Sequence, residues 1–97
     1  MYAAIRQGKA KPGMAEAIAG QIKEGMIPIV SAVAGFRGYY VVYAPDDTVT
    51  AVSLFDTYES AEESNRLGVD WAKQHLTPML AEMVEASAGP VIVHTLP

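Results

Sequence analysis

Apolar residues dominate two short runs, residues 36–43 and 49–55, joined by the turn Ala44-Pro45-Asp46-Asp47-Thr48. Pro45 and Asp46 fit the centre of a type I turn, because proline presets the first dihedral angle. The two runs are therefore predicted to form a β-hairpin. A shorter strand pattern covers residues 2–7 and ends at Gly8, and another covers residues 91–96 after Gly89-Pro90.

A helical pattern precedes the hairpin, with apolar residues four positions apart at Met14, Ile18, Ile22 and Met26. This spacing predicts one buried stripe. Pro28 has no N–H to donate to Glu24, so we expect a kink or an end near Ile27.

A second helical pattern follows the hairpin and reaches about residue 87. Asp56 or Thr57 can cap its start. Thr77-Pro78 resembles a cap followed by proline at the first helical position, so a kink or a restart is expected there.

The resulting order is strand, helix, strand, strand, helix, strand. It predicts an α+β, ferredoxin-like β-α-β-β-α-β unit: a four-stranded antiparallel sheet with two helices on one face. The 97 residues suit one domain, residues 1–97.

The other sheet face is predicted to be apolar as well. On residues 36–43 we expect Phe36, Gly38, Tyr40 and Val42 on one face and the alternate residues on the other; on the next strand, Val52 and Leu54 oppose Ala51, Ser53 and Phe55. Soluble monomers rarely expose such a surface. We therefore expect a homodimer, with two sheets back to back in a barrel and a pocket either between sheet and helices or between the two sheets.

The amino-acid composition excludes several classes of function but does not indicate a substrate. The chain lacks cysteine, which excludes disulfides and thiolate chemistry, and its net charge of -4 with scattered basic residues argues against nucleic acid. No apolar run is long enough for a membrane span and no signal peptide is visible, so we expect a cytoplasmic protein with no membrane partner. No phosphate loop or metal-ligand cluster is present, so no cofactor and no metal are expected.

A few residues are candidates for chemistry, each with a plain structural alternative. Trp71 and His75 share a helix face and could hold and protonate an aromatic ligand, or be a core tryptophan and a boundary histidine. His94 is an acid–base candidate or a solvent-facing edge residue. Arg6 and Gln7 point to opposite faces, and an inward Arg6 would suit an anionic oxygen, unless it is simply solvated or paired.

Several segments resemble the antibiotic biosynthesis monooxygenase family of dimeric α/β barrels. They are Gly35-Phe36-Arg37-Gly38-Tyr39-Tyr40, Val52-Ser53-Leu54-Phe55, Ala61-Glu62-Glu63-Ser64-Asn65-Arg66 with Asp70-Trp71, and Gly89-Pro90-Val91-Ile92-Val93-His94. The resemblance implies a cofactor-independent monooxygenase acting on a small aromatic, polyketide-like substrate. It matches the family's Asn and Trp to Asn65 and Trp71. The haem-degrading branch is less similar, because strand one offers Arg6 and Gln7 rather than asparagine.

The chain therefore has a candidate site for a monooxygenase, and two other functions remain open. The catalytic candidates are Trp71, His75, His94, Asn65 and Arg6, and the substrate-binding candidates are Tyr39, Tyr40 and Phe55. The alternatives are a non-catalytic dimer that binds a small ligand or a protein, and an isomerase or lactone-forming enzyme on the same scaffold.

Overall fold

The computed structural model describes all 97 residues, and it confirms the predicted fold. The order along the chain is β1 (Tyr2–Ala10), α1 (Ala15–Gln21), a π-helical turn (Ile22–Met26), α2 (Ile27–Ser31), β2 (Phe36–Tyr43), β3 (Thr48–Phe55), α3 (Tyr58–His75), a 3₁₀ turn (Thr77–Met79) and β4 (Leu80–Pro90). The antiparallel sheet has the order β2-β3-β1-β4, and both helical layers cover one face. None of the helices is both long and apolar enough to cross a membrane.

The first helical layer has the predicted buried stripe, with Ile18, Ile22 and Met26 all buried. Its interruption also falls where Pro28 predicts it. Ahead of the proline the spacing between donor and acceptor grows from four residues to five. The Ile27 N–H donates to the Ile22 carbonyl, five residues back. The π-helical turn accommodates Pro28, which has no N–H donor, and the helical layer continues after it as α2.

The hairpin forms as predicted, with Pro45 and Asp46 at its centre. The Asp47 N–H donates to the Ala44 carbonyl at 3.0 Å, which closes the four-residue turn. Asp47 then takes a positive φ of 69°, and the Thr48 N–H donates to Asp46 Oδ1 at 3.1 Å. An aspartate tolerates this left-handed conformation better than most residues.

The C-terminal third of the chain corrects the sequence prediction. Helix α3 starts at its cap Thr57, as expected, but it ends at His75. Residues 80–90 form β4 instead of a continued helix, and residues 91–97 form no strand. Leu80, Met83 and Val84 have helical spacing and good helix formers surround them, yet pairing with β1 outweighs that local propensity.

Two smaller strand predictions also need correction. Strand β1 continues past Gly8 to Ala10, where we expected a loop. In β2, Phe36 pairs with Phe55 and Gly38 pairs with Leu54, so Arg37 is an extra residue. This bulge moves Phe36 to the helix-covered face, beside Tyr39 rather than Tyr40. The predicted alternation of β3 is confirmed, with Ala51, Ser53 and Phe55 buried.

The core joins the helices to the sheet through one close approach. Trp71 of α3 is buried beneath the π-helical turn, where Gly25 faces its indole ring. A Cβ on Gly25 would lie 2.5 Å from Trp71 Cζ2, closer than side chains pack. The absence of a side chain at residue 25 therefore sets how closely the two helical layers approach.

We predict that Gly25→Ala destabilises the protein by about 1–3 kcal/mol, because the added methyl group forces the indole or the helix to move. Gly20→Ala is the matched control, since nothing lies within 4 Å of its Cβ position. That control should stabilise the helix by roughly 0.5–1 kcal/mol. Urea unfolding followed by Trp71 fluorescence measures both. Equal effects of the two substitutions would contradict the packing argument.

Candidate functional site

Arg6 is the most unusual residue of the interior. Strand β1 alternates, so Arg6 shares its face with the buried Ala4 and Ala10 and points toward the helices. Only 3% of Arg6 is exposed to solvent. Charged residues are almost never buried to this extent without a partner of opposite charge.

The partners of Arg6 are neutral. Its Nη1 donates to Asn65 Oδ1 at 3.0 Å, and its Nη2 donates to Ser53 Oγ at 2.8 Å. The guanidinium carbon lies 5.5 Å from the centre of the Tyr39 ring, within cation–π range. We call Arg6, Ser53, Asn65 and Tyr39 the Arg6 cluster. The two ion pairs of the structure, Arg37–Asp56 and Arg66–Glu63, lie elsewhere on the surface.

Each member of the Arg6 cluster is fixed by a different element. Ser53 is fully buried on β3, and Asn65 comes from α3. The Asn65 amide donates to the Ser87 carbonyl of β4 at 2.8 Å, so its other end is held too. Gly68 of α3 makes room, because a Cβ there would lie 2.8 Å from Arg6 Nε. The guanidinium is therefore held in one orientation.

Two hydrogen-bonding atoms in the Arg6 cluster have no protein partner. Arg6 Nε and the Tyr39 hydroxyl are both buried, and neither meets a protein donor or acceptor. Both residues line a cavity of about 30 Å³ beneath the helices, which we call the inner cavity. Buried polar groups without partners cost folding free energy, so such positions often mark a binding site.

An open cleft lies beside the inner cavity, between the first helical layer and β2. It has a volume of about 320 Å³, and nine of its ten lining residues are hydrophobic. The lining residues are Ala15, Ile18, Ala19, Ile22, Lys23, Ile27, Tyr39, Val41, Tyr43 and Val49. Ile22, Tyr39 and Val49 also line the inner cavity. The cleft and the inner cavity are therefore neighbours separated only by shared side chains.

Tyr43 lies at one end of the cleft, and its hydroxyl donates to Asp47 Oδ1 at 2.8 Å. Desolvation and this hydrogen bond raise the pKa of Tyr43 above its ordinary value. The phenol therefore remains protonated near neutral pH. Tyr43 serves as part of the cleft wall and is not suited to act as a base.

The structure brings some of the sequence candidates together. Arg6, Asn65 and Tyr39 meet in one cluster beside the cleft. Trp71 is buried one helical turn beyond Gly68, and His75 stacks on it with ring centres 4.9 Å apart. Trp71 and His75 line neither the cleft nor the inner cavity, and His75 is exposed.

The other candidates lie away from the Arg6 cluster. Tyr40 is on the opposite sheet face and is 63% exposed. Phe55 is fully buried against Phe36, at the far end of β3. His94 is exposed in the segment after β4, and not on a strand as we expected. No group of three or more His, Asp or Glu side chains gathers into a metal-binding arrangement.

Sequence reasoning missed Ser53, Gly68 and the Ser87 carbonyl. A serine between the apolar residues Val52 and Leu54 of a strand gives no signal until its partner is known. Gly68 is visible in the sequence only as a residue that weakens a helix. The contact with Arg6 that requires a glycine there spans 62 positions of the chain, and it is a property of the fold alone.

We predict that Ser53→Ala destabilises the protein by about 1–3 kcal/mol, because a buried cationic donor loses its acceptor. Ser64→Ala is the matched control. Ser64 is equally buried, but its hydroxyl donates only to the Ala61 carbonyl of its own helix. Thermal and urea unfolding should show a much smaller change for Ser64→Ala. A similar loss in both variants would mean that Ser53 acts only as a buried small residue.

Comparisons with known proteins support the fold. A monooxygenase encoded by ActVA-Orf6 of Streptomyces coelicolor, solved in complex with nanaomycin D, superposes with a TM-score of 0.76 at 13% identity, covering 99% of this chain and 91% of that one. Rv0793 from Mycobacterium tuberculosis gives 0.72 at 13% identity, with 98% of each chain covered.

A third solved structure has higher sequence identity. It is a protein provisionally assigned as an antibiotic biosynthesis monooxygenase, from Chloroflexus aurantiacus, with a TM-score of 0.61, 24% identity and coverage of 99% and 98%. No protein-family model matches the sequence, and no curated protein matches it either. The predicted resemblance to antibiotic biosynthesis monooxygenases is thereby confirmed at the level of the fold.

Proposed function

We propose that this protein is a small-molecule enzyme of the monooxygenase type, which holds an aromatic phenol or enol in the cleft and stabilises its ionised oxygen with the Arg6 cluster. One observation carries the proposal. A guanidinium that is 3% exposed, with neutral partners only, lies next to an apolar cleft. Positive charge held in a dry site stabilises a developing oxyanion far more than it would in water.

The cleft suits a flat organic substrate. Its volume of about 320 Å³ is at the lower end of ordinary ligand pockets, and its walls are almost entirely apolar. Tyr39 belongs to both the cleft and the Arg6 cluster, so a ring bound in the cleft could place an oxygen toward the guanidinium. This arrangement supports a substrate with an apolar body and one acidic oxygen.

The proposed reaction needs dioxygen as its only co-reactant. The bound phenol or enol loses its proton to water, and the Arg6 guanidinium stabilises the resulting anion. The anion donates an electron to dioxygen, the radical pair joins through a new carbon–oxygen bond, and the peroxide forms. Loss of water breaks the oxygen–oxygen bond and leaves a carbonyl. A methylene carbon and dioxygen thus give a carbonyl group and water, with four electrons transferred.

The structural neighbours support the choice of reaction. The Streptomyces coelicolor protein is a monooxygenase, and its crystal contained nanaomycin D. The same fold in this protein has an apolar cleft and a buried cation, Arg6, near it. Asn65 orients Arg6 in this proposal, and Trp71 packs against Gly25 and does not line the cleft. His75 and His94 have no part in it, because neither lines the cleft.

We predict that the wild-type protein consumes oxygen with anthrones or hydroquinones and no added cofactor, and that Arg6→Gln lowers kcat/KM by about a hundredfold through loss of oxyanion stabilisation. The measurement uses an oxygen electrode with heat-inactivated protein to subtract autoxidation. Arg37→Gln is the matched control, because Arg37 is exposed and pairs with Asp56. Its activity should be unchanged.

Two other outcomes would replace the proposal. Tight binding of these compounds without oxygen uptake would indicate a ligand-binding protein. The Arg6 cluster has no base to take up a substrate proton, which would explain the absence of a reaction. Turnover under strictly anaerobic conditions would indicate the isomerase or lactone-forming alternative. Equal oxygen uptake by Arg6→Gln and the wild type would remove Arg6 from the reaction.

We also propose that the protein is a homodimer through the sheet face that no helix covers, which we call the outer face. It carries Ile5, Tyr40, Val42, Val52 and Leu54, and Tyr40 and Val42 are 63% and 59% exposed. Two such faces back to back would form a closed barrel. An apolar surface of this kind is rarely left uncovered in a soluble protein.

We predict that Val42→Lys converts the dimer to a monomer, because a charge on the outer face would lose its hydration when two such faces pack together. Sedimentation velocity measures the change. Tyr58→Lys is the control, since Tyr58 is 42% exposed on the helical layer, outside the proposed interface. It should leave the sedimentation coefficient unchanged, and a monomeric wild type would rule out this interface.

A further inference from the structure

Two residues that line the inner cavity each carry a buried hydrogen-bonding atom that no protein atom satisfies. Arg6 Nε and the Tyr39 hydroxyl are both buried and unpartnered, and both residues line this cavity. Arg6 Nη1 and Nη2 are already used by Asn65 and Ser53, at 3.0 and 2.8 Å. Nε can only donate, and the tyrosine hydroxyl can rotate to donate. The two atoms therefore offer donors with no competing acceptor.

The residues around the inner cavity carry a net positive charge, which also favours an anion. Its lining contains one cation, Arg6, and no Asp or Glu. Eight of the eleven lining residues are hydrophobic, so the charge is weakly screened. An uncompensated charge in such surroundings is costly, and a bound counter-ion would remove much of that cost.

The size of the inner cavity limits the ligand. Its volume of about 30 Å³ is enough for one halide or a similarly small ion. A water molecule needs at least roughly 10–15 Å³ measured in this way. An aromatic ring does not fit there, so the ring-binding cleft is a different space, but an anion in the inner cavity would compete with the substrate's ionised oxygen for the charge of Arg6.

We propose that the inner cavity is a binding site for one small monovalent anion, of halide size, held by Arg6 Nε and the Tyr39 hydroxyl. Apolar lining residues such as Met26, Ala72 and Leu80 offer no hydrogen bonds to a hydration shell, which favours a small anion that sheds its water easily. The site is defined without any substrate, so it can be tested whether or not the proposed reaction occurs.

The test replaces sodium gluconate with sodium chloride or sodium bromide at constant ionic strength and follows the melting temperature. Ligands that bind only the folded state raise that temperature with their concentration. We expect a saturable rise for the wild type and for the control Arg37→Gln. Tyr39→Phe keeps the ring and removes the hydroxyl, and should weaken chloride binding by about tenfold. Arg6→Gln should abolish the chloride dependence.

Crystals soaked in bromide give a direct second measurement. Anomalous scattering should show bromide within hydrogen-bonding distance of Arg6 Nε and the Tyr39 hydroxyl. The proposal is overturned if bromide occupies only surface positions. It is also overturned if chloride stabilises Arg6→Gln and the wild type equally. Each variant is compared with itself in the two salts, so a change in its basal stability does not affect this result.

Discussion

Burial of the Arg6 guanidinium between the sheet and α3 is the constraint on which the centre of this molecule depends. Removing a cation from water is expensive, and neutral hydrogen bonds return only part of that cost. Ser53 of β3 and Asn65 of α3 supply those bonds, and Asn65 in turn holds the Ser87 carbonyl of β4. Arg6 and Asn65 together therefore tie three strands to a helix. The positions of these elements around Arg6 are therefore set by hydrogen bonds as well as by apolar packing.

Two glycines let the helices come close enough for this arrangement. Gly68 leaves space for the guanidinium, and Gly25 leaves space for the Trp71 indole. Gly25 lies in the π-helical turn, whose wider hydrogen-bonding pattern accommodates Pro28. The first helical layer therefore packs closely on Trp71 at Gly25, and residues of the same layer from Ala15 to Ile27 line the open cleft beside β2.

The sequence was informative wherever local pattern and tertiary packing agree. The hairpin, the stripe from Ile18 to Met26 and the break at Pro28 all depend on neighbours in the chain. Residues 80–90 show the opposite case, because helix-forming residues there pair with β1 through contacts that no window of sequence contains. The bulge at Arg37 likewise changed the face of Phe36, since one extra residue inverts the alternation of a strand.

The candidate site was predictable in part for the same reason. Alternation along β1 limited Arg6 to one of two faces, but the choice between a surface cation and a buried one required Ser53, Asn65 and Gly68 in three dimensions. That choice also decides the chemistry. A fixed cation without a neighbouring carboxylate or imidazole can stabilise negative charge but cannot take up a proton. In the proposed function such a site suits substrates that are acidic themselves, and a carboxylate base placed beside Arg6 would neutralise the charge that stabilises the substrate anion.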